Sequence, residues 1–381
     1  MSAMGGTGGT GGTGGTGGTG GTGGTGGTGG TGGTSGVANL NFTGLGPFLG
    51  AGADPVYDPL LVQGLQITEQ AITHVTRPYP HGDQPNELGF STPANMELWA
   101  DWVRSSLYLT EFLRDFDWTV HRHTRTVSLN YGSNSFLELQ RPNVAAFVDQ
   151  LKFMRAYLDQ RPDRTPEILT QLGYPTPYFM MILGLQANPN RYTLELIAIT
   201  QVLASHVAMV AKHHLACRRA DRIGAKVMPM IPTPAHASFP SAHASEAFAV
   251  AQVLRRLVEC HKHHYADYER RKILLSKLAE RIAVNRTVAG MHYPIDTWAG
   301  AILGRAVGQI VLAKCGVGSC VDGYRYHAKG DRDFFLREFM DGENYTYGVH
   351  GTDSFEVETS PLFAWLWQKT SKEFALHDGL S

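Results

Sequence analysis

Helical periodicity is the feature that most constrains the fold of this chain. From Pro93 onward, apolar residues recur at the three- and four-residue spacing that places them on one face of an α-helix. Such patterns cover residues 93–113, 142–159, 190–217, 241–264, 268–286 and 294–314, with shorter pieces near 166–172 and 177–186. Alternating apolar and polar runs, which predict β-strands, are few. The sequence therefore predicts an all-α fold built from packed helical bundles.

The N-terminal segment cannot contribute to that core. The triplet Gly-Gly-Thr repeats ten times from Gly5 to Thr34, using 20 of the 44 glycines and no charged residue. Such a segment buries no apolar surface and loses much entropy on ordering, which favours a flexible linker over a packed glycine helix. We therefore expect a low-complexity tail over residues 1–36 and a single helical domain over residues 37–381, with an active-site bundle at about 190–315.

Charge and composition exclude several functional classes. Lys plus Arg number 33 and Asp plus Glu number 34, so no basic field indicates a nucleic-acid partner. The four cysteines lack zinc-ligand spacing, and residues 1–36 lack the apolar stretch of a secretory signal peptide. The most apolar run, residues 194–211, is interrupted by Glu195, Gln201, Ser205 and His206, so no membrane span is expected. These observations predict a protein that is cytoplasmic or otherwise soluble.

Three basic side chains between residues 212 and 286 suit the oxygens of a tetrahedral oxyanion. Lys212 and Arg219 are separated by six residues, and Arg286 follows on a later helical pattern. Together they would supply one ammonium group and two guanidinium forks. Alone, a lysine and an arginine at this spacing are typical of a solvated helix face, so the prediction depends on the neighbouring segments.

The second segment, residues 239–243, begins a predicted helix. Pro240 suits the first turn, so the backbone N–H groups near Ser241, Ala242 and His243 are free to donate. A helix N-terminus binds anions, and the Ser241 hydroxyl is a further donor. The alternative for this segment is a plain helix start with a capping serine.

Two histidines can divide the chemistry between them. His292 lies just before Pro294, which opens another helix, and Asp296 follows one turn later. The Asp296 carboxylate can accept the proton on the far imidazole nitrogen and so fix the tautomer of His292. One histidine would then attack or ligate the central atom while His243 moves protons.

The order of these segments resembles the superfamily that unites vanadium-dependent haloperoxidases, type 2 phosphatidic acid phosphatases and bacterial acid phosphatases. Its signature is Lys-x6-Arg-Pro, then Pro-Ser-Gly-His, then Ser-Arg-x5-His-x3-Asp. This chain departs from the signature at Ala220, Ala242 and Asn285, which stand where the family has Pro, Gly and Ser. Ala242 keeps the backbone N–H that the family glycine donates, but alanine would not fit a position that needs a positive φ.

The resemblance implies a role for each motif residue. The oxyanion cradle would consist of Lys212, Arg219, Ser241, the Ala242 N–H and Arg286. His292 would be the axial vanadate ligand in a peroxidase or the phosphorylated nucleophile in a phosphatase. His243 would be the general acid–base, Asp296 would orient His292, and Lys212 would polarise a bound peroxide.

The long segment ahead of Lys212 favours one branch of this superfamily. More than 170 residues of the predicted domain precede the first motif. In this respect the chain resembles the haloperoxidases rather than the compact acid phosphatases. The chain resembles the algal bromoperoxidases in having a histidine at His236. This resemblance implies that His236 tunes the halide preference and favours bromide over chloride. The resemblance thus implies an all-α vanadium-dependent haloperoxidase with vanadate as cofactor.

Its partners would be hydrogen peroxide, a halide and a small organic acceptor, and a homo-oligomer is left open. Two alternatives remain beside this interpretation. One is a soluble acid phosphatase that holds phosphate in the same cradle and hydrolyses phosphomonoesters through a phosphohistidine. The other is a non-catalytic protein that keeps the cradle as a relic.

Overall fold

The computed structural model describes residues 59–73, 88–340, 342 and 344–377. The predicted tail over residues 1–36 lies outside them. The chain divides into two units, one of Met1–Gly33 with Thr43–Val103 and one of Thr34–Phe42 with Arg104–Ser381. In the first unit the structure describes helix α1 (Pro59–Thr73) and a 3₁₀ helix (Pro93–Leu98). The second unit contains every residue predicted for the site.

The second unit combines helices with a sheet. Its helices, counted from the one that begins just before Arg104, are α2 (Asp101–Leu113), α3 (Val144–Ala156), α4 (Arg161–Thr170), α5 (Thr176–Leu183), α6 (Arg191–Leu215), α7 (Ala242–Cys260), α8 (Tyr268–Val288), α9 (Pro294–Lys314), α10 (Leu336–Met340) and α11 (Pro361–His377). Its strands are β1 (Phe116–His121), β2 (Thr126–Tyr131), β3 (Asn134–Gln140), β4 (Cys320–Tyr326) and β5 (Val349–Glu356). Short 3₁₀ helices lie at Leu158–Gln160, Ala220–Arg222, Ala225–Val227 and Tyr345–Tyr347.

The prediction of an all-α fold is wrong, because the second unit contains a five-stranded sheet in the order β1-β2-β3-β4-β5. Strands β1 to β3 form an antiparallel meander, β3 and β4 pair in parallel with Leu137 opposite Tyr324, and β5 is antiparallel to β4. Strand β2 is buried along most of its length. Its sequence, Thr-Val-Ser-Leu-Asn-Tyr, does alternate polar and apolar residues. Six residues are a short signal, however, and the longer helical patterns outweigh it.

Helix α7 is the centre of the helical part and packs against α6, α8 and α9. Glycines spaced four apart on α9 allow the closest of these approaches. A Cβ atom at Gly300 would meet the carbonyl oxygen of Ser241, and one at Gly304 would meet the carbonyl oxygen of Ser245. The close packing brings the N-termini of α7 and α9 together, where the Ser241 N–H donates to the carbonyl oxygen of Asp296 at 2.9 Å.

The helical segment Arg191–Arg222 corrects the prediction that no helix could span a membrane. It is long enough to cross one, and its most apolar window has a mean hydropathy of 1.7. The residues expected to interrupt it include only one charged side chain, Glu195, so they lower the hydropathy too little to exclude a span. Of that window, 78% is buried inside the protein itself, as in a core helix.

Candidate active site

The candidate site lies where five chain segments meet. Helix α6 ends at Leu215 and is capped by Ala216, which adopts the left-handed conformation, and the loop that follows leads to the N-terminus of α7. The C-terminal end of α8 and the N-terminus of α9 contribute the third motif, and residues at the end of α4 contact it. Helix termini expose unpaired backbone groups, so this junction offers donors and acceptors that helix interiors do not.

His292 is held at both ring nitrogens. Its Nδ1 lies 2.9 Å from Asp296 Oδ2, and its Nε2 lies 3.1 Å from a guanidinium nitrogen of Arg219. Arginine only donates, so Nε2 accepts and the proton is on Nδ1. Burial, together with Arg219 and Lys212, lowers the pKa of His292 well below its usual value. The imidazole is therefore neutral, with its Nε2 lone pair directed away from Asp296.

Arg219 links His292 to the loop before α7. The guanidinium group donates to the carbonyl oxygens of Met291 at 2.9 Å and His236 at 3.1 Å, and to His236 Nδ1 at 3.2 Å. It is 5% exposed, and burial lowers its pKa. The structure thus places His236 at the site, in contact with the cation that also bonds the Nε2 of His292.

Lys212 projects from the last turn of α6 beneath the same loop. Its ammonium group donates to the carbonyl oxygens of Ala237 at 2.9 Å and Ser238 at 2.7 Å. The side chain is 1% exposed. Burial, reinforced by the neighbouring Arg219, lowers the pKa of Lys212 to about 7. The ammonium charge is therefore costly here and would be stabilised by an anion.

The carboxylate of Asp296 is fully buried at the N-terminus of α9. One of its oxygens, Oδ2, accepts from Ser238 Oγ at 2.5 Å, His292 Nδ1 at 2.9 Å and the Tyr293 N–H at 3.2 Å. Burial raises the pKa of Asp296 to about 6, while the Ser238 hydrogen bond and Lys212 act in the opposite direction. The carboxylate can therefore hold the Nδ1 proton of His292 at neutral pH.

His243 and Arg286 meet at the end of α4. His243 Nε2 lies 3.0 Å from the carbonyl oxygen of Gln171, so that nitrogen carries the proton and Nδ1 is free to accept. Arg286 donates to the carbonyl oxygen of Ile168 at 3.2 Å and, at 3.4 Å, to both oxygens of Gln171. Burial and the charge of Arg286 lower the pKa of His243 to about 3.

The first residues of α7 show how alanine replaces the family glycine. Ala242 is the first helical residue, and its φ does not lie in the left-handed region. The position therefore makes no demand that only glycine could meet. The Ser241 side chain caps the helix by accepting from the Ala244 N–H at 3.3 Å, which leaves its own hydroxyl proton available.

Three buried side chains beside the motifs were missed by the sequence analysis. Gln171 accepts from Asn285 and Arg286 through its Oε1, and its Nε2 has no partner among the described residues. Ser238 donates to Asp296. Glu246 lies one turn after His243 on α7, and burial raises the pKa of its carboxyl to about 8. Only Glu246 carried a usable signal, its three-residue spacing from His243 on a predicted helix.

The donor set suits a tetrahedral oxyanion. Three cations are buried here: Lys212 on α6, Arg219 in the loop after it and Arg286 on α8. Among the described residues, no carboxylate lies within ion-pair distance of any of them. The Nε of Arg286 is buried and has no partner in the part of the chain that the structure describes. Buried donors of this kind are costly unless an acceptor satisfies them. Phosphate and vanadate are both acceptors of the right charge and shape.

Part of this chain is similar to known proteins. Residues 155–315 match the model of the PAP2 superfamily. Decaprenylphosphoryl-5-phosphoribose phosphatases of two Mycobacterium tuberculosis strains are 31% identical over 133 residues, covering 35% of this chain and 67% of theirs. A solved transmembrane PAP2-type phosphatidylglycerolphosphate phosphatase from Bacillus subtilis is 17% identical, with a TM-score of 0.35 over 56% of this chain and 90% of that chain.

These findings correct the predicted partners and localisation. The curated relatives are named as phosphatases, so the prediction of hydrogen peroxide, a halide and an organic acceptor as partners is wrong. The prediction of a cytoplasmic or otherwise soluble protein rests on the absence of a possible spanning segment. That premise is wrong, since Arg191–Arg222 has the length and composition of one. The relatives favour the phosphatase alternative over the haloperoxidase interpretation.

Proposed function

Because the chain belongs to the PAP2 superfamily, we propose that it is a phosphatase that hydrolyses a phosphomonoester through a phosphohistidine at His292. The observation that carries the proposal is the pair of contacts on His292, with Asp296 at Nδ1 and Arg219 at Nε2. They select the neutral tautomer whose Nε2 lone pair is a nucleophile. The name of the curated relatives makes a lipid-linked sugar phosphate the first substrate class to assay.

In the first half of the reaction, the Nε2 lone pair of His292 attacks phosphorus and the bond between phosphorus and the ester oxygen breaks. The departing alkoxide takes a proton from Nδ1 of His243, which takes up that proton from solvent when the substrate binds. Lys212, Arg219 and Arg286 would bond the equatorial oxygens, whose negative charge they stabilise more as it develops. The phosphate dianion would raise the pKa of His243 from about 3, because it offsets the repulsion from Arg286.

In the second half, water attacks phosphorus of the phosphohistidine and gives a proton to His243. The bond between nitrogen and phosphorus breaks, inorganic phosphate leaves, and His292 Nε2 recovers its lone pair. Through both halves, the Asp296 carboxylate accepts the hydrogen bond from the Nδ1–H of His292. Its negative charge stabilises the positive charge on the phosphorylated imidazole. We propose that vanadate binds the same donors as phosphate and therefore inhibits the enzyme.

The test uses the full-length chain, an aryl phosphate and a decaprenyl-linked sugar phosphate, with phosphate release as the readout. We expect release without added metal, inhibition by vanadate, and an acid-labile phosphohistidine in rapidly quenched samples. His292→Ala should abolish both turnover and labelling. His123→Ala, in the exposed turn between β1 and β2, is the matched control and should change neither. Absence of phosphate release, or labelling that survives in His292→Ala, would refute the proposal.

A further inference from the structure

Ser238 donates to the residue that orients the proposed nucleophile. Its side chain is fully buried, and its hydroxyl lies 2.5 Å from Asp296 Oδ2. The same oxygen accepts from His292 Nδ1 and from the Tyr293 N–H. An ionised carboxylate only accepts, so the hydroxyl of Ser238 is the donor in this contact. The serine therefore belongs to the group of donors that fixes where Oδ2 lies.

The backbone of Ser238 fixes the position of this hydroxyl. Its N–H donates to the carbonyl oxygen of Cys217 at 2.9 Å, and its carbonyl oxygen accepts from Lys212 Nζ at 2.7 Å. Both partners lie at or just after the end of α6, whereas Asp296 lies on α9. A single residue thus ties the α6 side of the site to the α9 side. These contacts hold its backbone in place, and full burial restricts the rotation of its side chain.

The second carboxylate oxygen shows why a further donor matters. Asp296 Oδ1 is buried and has no partner among the described residues. The carboxylate is therefore held almost entirely through Oδ2. Without the Ser238 hydroxyl, the remaining contacts come from Tyr293 and His292, which are close together in the chain on the same side of α9. The carboxylate would then be held at Oδ2 by two donors instead of three, so its orientation toward Nδ1 would be less restricted.

We propose that Ser238 is a positioning residue that locks the Asp296 carboxylate against His292 Nδ1, so that His292 keeps the tautomer with a nucleophilic Nε2. The proposal rests on the proposed phosphatase function for its kinetic consequence. Its structural consequence, a single His292 tautomer in the resting protein, is independent of which reaction the site performs. Ser238 acts through Asp296 and does not contact phosphate in this arrangement.

The first arm of the test is kinetic. We expect Ser238→Ala to lower kcat roughly tenfold to a hundredfold, the loss typical of removing one hydrogen bond to a charged group, and to leave KM unchanged. Ser238→Thr keeps the hydroxyl and should restore kcat. Ser276→Ala, which removes a helical hydroxyl that bonds the Lys272 carbonyl oxygen, is the matched control and should behave as the parent protein.

The second arm reads the tautomer directly. In ¹⁵N-histidine-labelled full-length protein at neutral pH, His292 should give one protonated Nδ1 signal, assigned by its loss in His292→Ala. We expect Ser238→Ala to broaden or shift that signal, because the acceptor of the Nδ1 proton is held less firmly. If Ser238→Ala does not fold, Ser238→Cys, whose thiol is a weaker donor of similar size, takes its place in both arms.

Each outcome decides for or against the proposal. An unchanged Nδ1 signal in Ser238→Ala, or a rise in KM equal to the fall in kcat/KM, would overturn it. If the parent protein releases no phosphate, the phosphatase function fails, but the Nδ1 signal still decides the role of Ser238. A changed signal together with a lower kcat that Ser238→Thr restores would support both.

Discussion

Replacing Asp296 by asparagine separates the charge of this side chain from its role in holding the His292 tautomer. Oδ2 accepts from Ser238, His292 and Tyr293, whereas Oδ1 has no partner among the described residues. An asparagine amide has one accepting oxygen and one donating nitrogen. Since Ser238, His292 and Tyr293 all donate toward the Oδ2 position, the amide oxygen of the asparagine will occupy that position and its nitrogen the Oδ1 position. We expect Asp296→Asn to keep the Nδ1–H tautomer and to lose only the negative charge.

The size of the loss follows from the distance between the two groups. His292 becomes positively charged when it takes up the phosphoryl group, and its Nδ1 lies 2.9 Å from the carboxylate oxygen. Two unit charges about 4 Å apart interact by about 4 kcal/mol at an effective dielectric constant of about 20. This corresponds to a roughly thousandfold loss of kcat/KM. Asp296→Ala also removes the acceptor for Nδ1–H, so its loss should be about tenfold larger still.

The assay is aryl phosphate hydrolysis by both variants at neutral pH, with folding checked by thermal unfolding. Asp322→Asn is the matched control, since its carboxylate accepts from Gln309 on the sheet side of α9 and should leave kcat/KM unchanged. Asp296→Asn activity within about tenfold of the parent would refute the charge argument. Equal losses in the Asn and Ala variants of Asp296 would refute the argument that the tautomer is kept.

Two further predictions concern pH and packing. The pKa of Asp296 is raised to about 6 and that of Lys212 is lowered to about 7. We therefore expect kcat/KM to decrease at pH values below about 6, as the carboxylate protonates, and at pH values above about 7, as the ammonium group deprotonates. A flat profile between pH 5 and 8 would contradict this. Gly304→Ala should destabilise the fold by about 1–3 kcal/mol in thermal or denaturant unfolding, because its Cβ would meet the Ser245 carbonyl oxygen. Gly318→Ala, where a Cβ meets nothing within 4 Å, should be nearly neutral.

The parts of the site that follow local rules could be predicted from the sequence. Ser241 caps α7, and Pro294 is the first residue of α9, as their residue types favour. Because His292 lies two residues before α9 and Asp296 lies in the first turn of that helix, their short separation in the chain predicts their contact. The spacing could not reveal which cation would reach Nε2 of His292. That contact depends on how the loop after α6 returns to α9, and no local pattern encodes it.

Residues outside the motifs could not be found in this way. Gln171 reaches the site because α4 packs against α8, and nothing in its neighbourhood distinguishes it from a surface glutamine. The sheet was missed in the sequence for a related physical reason. Leu137 pairs with Tyr324 across almost two hundred residues of chain, so the pairing of β3 with β4 depends on contacts that no window of sequence contains. Strands β1 to β3 pair with their neighbours in the chain, but each is only six or seven residues long. Local periodicity predicts long helices well and is a weak signal for strands of six or seven residues.

Arg219 explains how the site can hold a nucleophile without exposing it. The guanidinium group that bonds His292 Nε2 also bonds the Met291 carbonyl oxygen, so it is held beside the lone pair that must attack phosphorus. An incoming phosphate offers anionic oxygens, and a charge-assisted hydrogen bond to such an oxygen is stronger than one to a neutral imidazole. Arg219 should therefore transfer its donor from Nε2 to phosphate as the substrate binds. The nucleophile is then released by the same anion that it attacks.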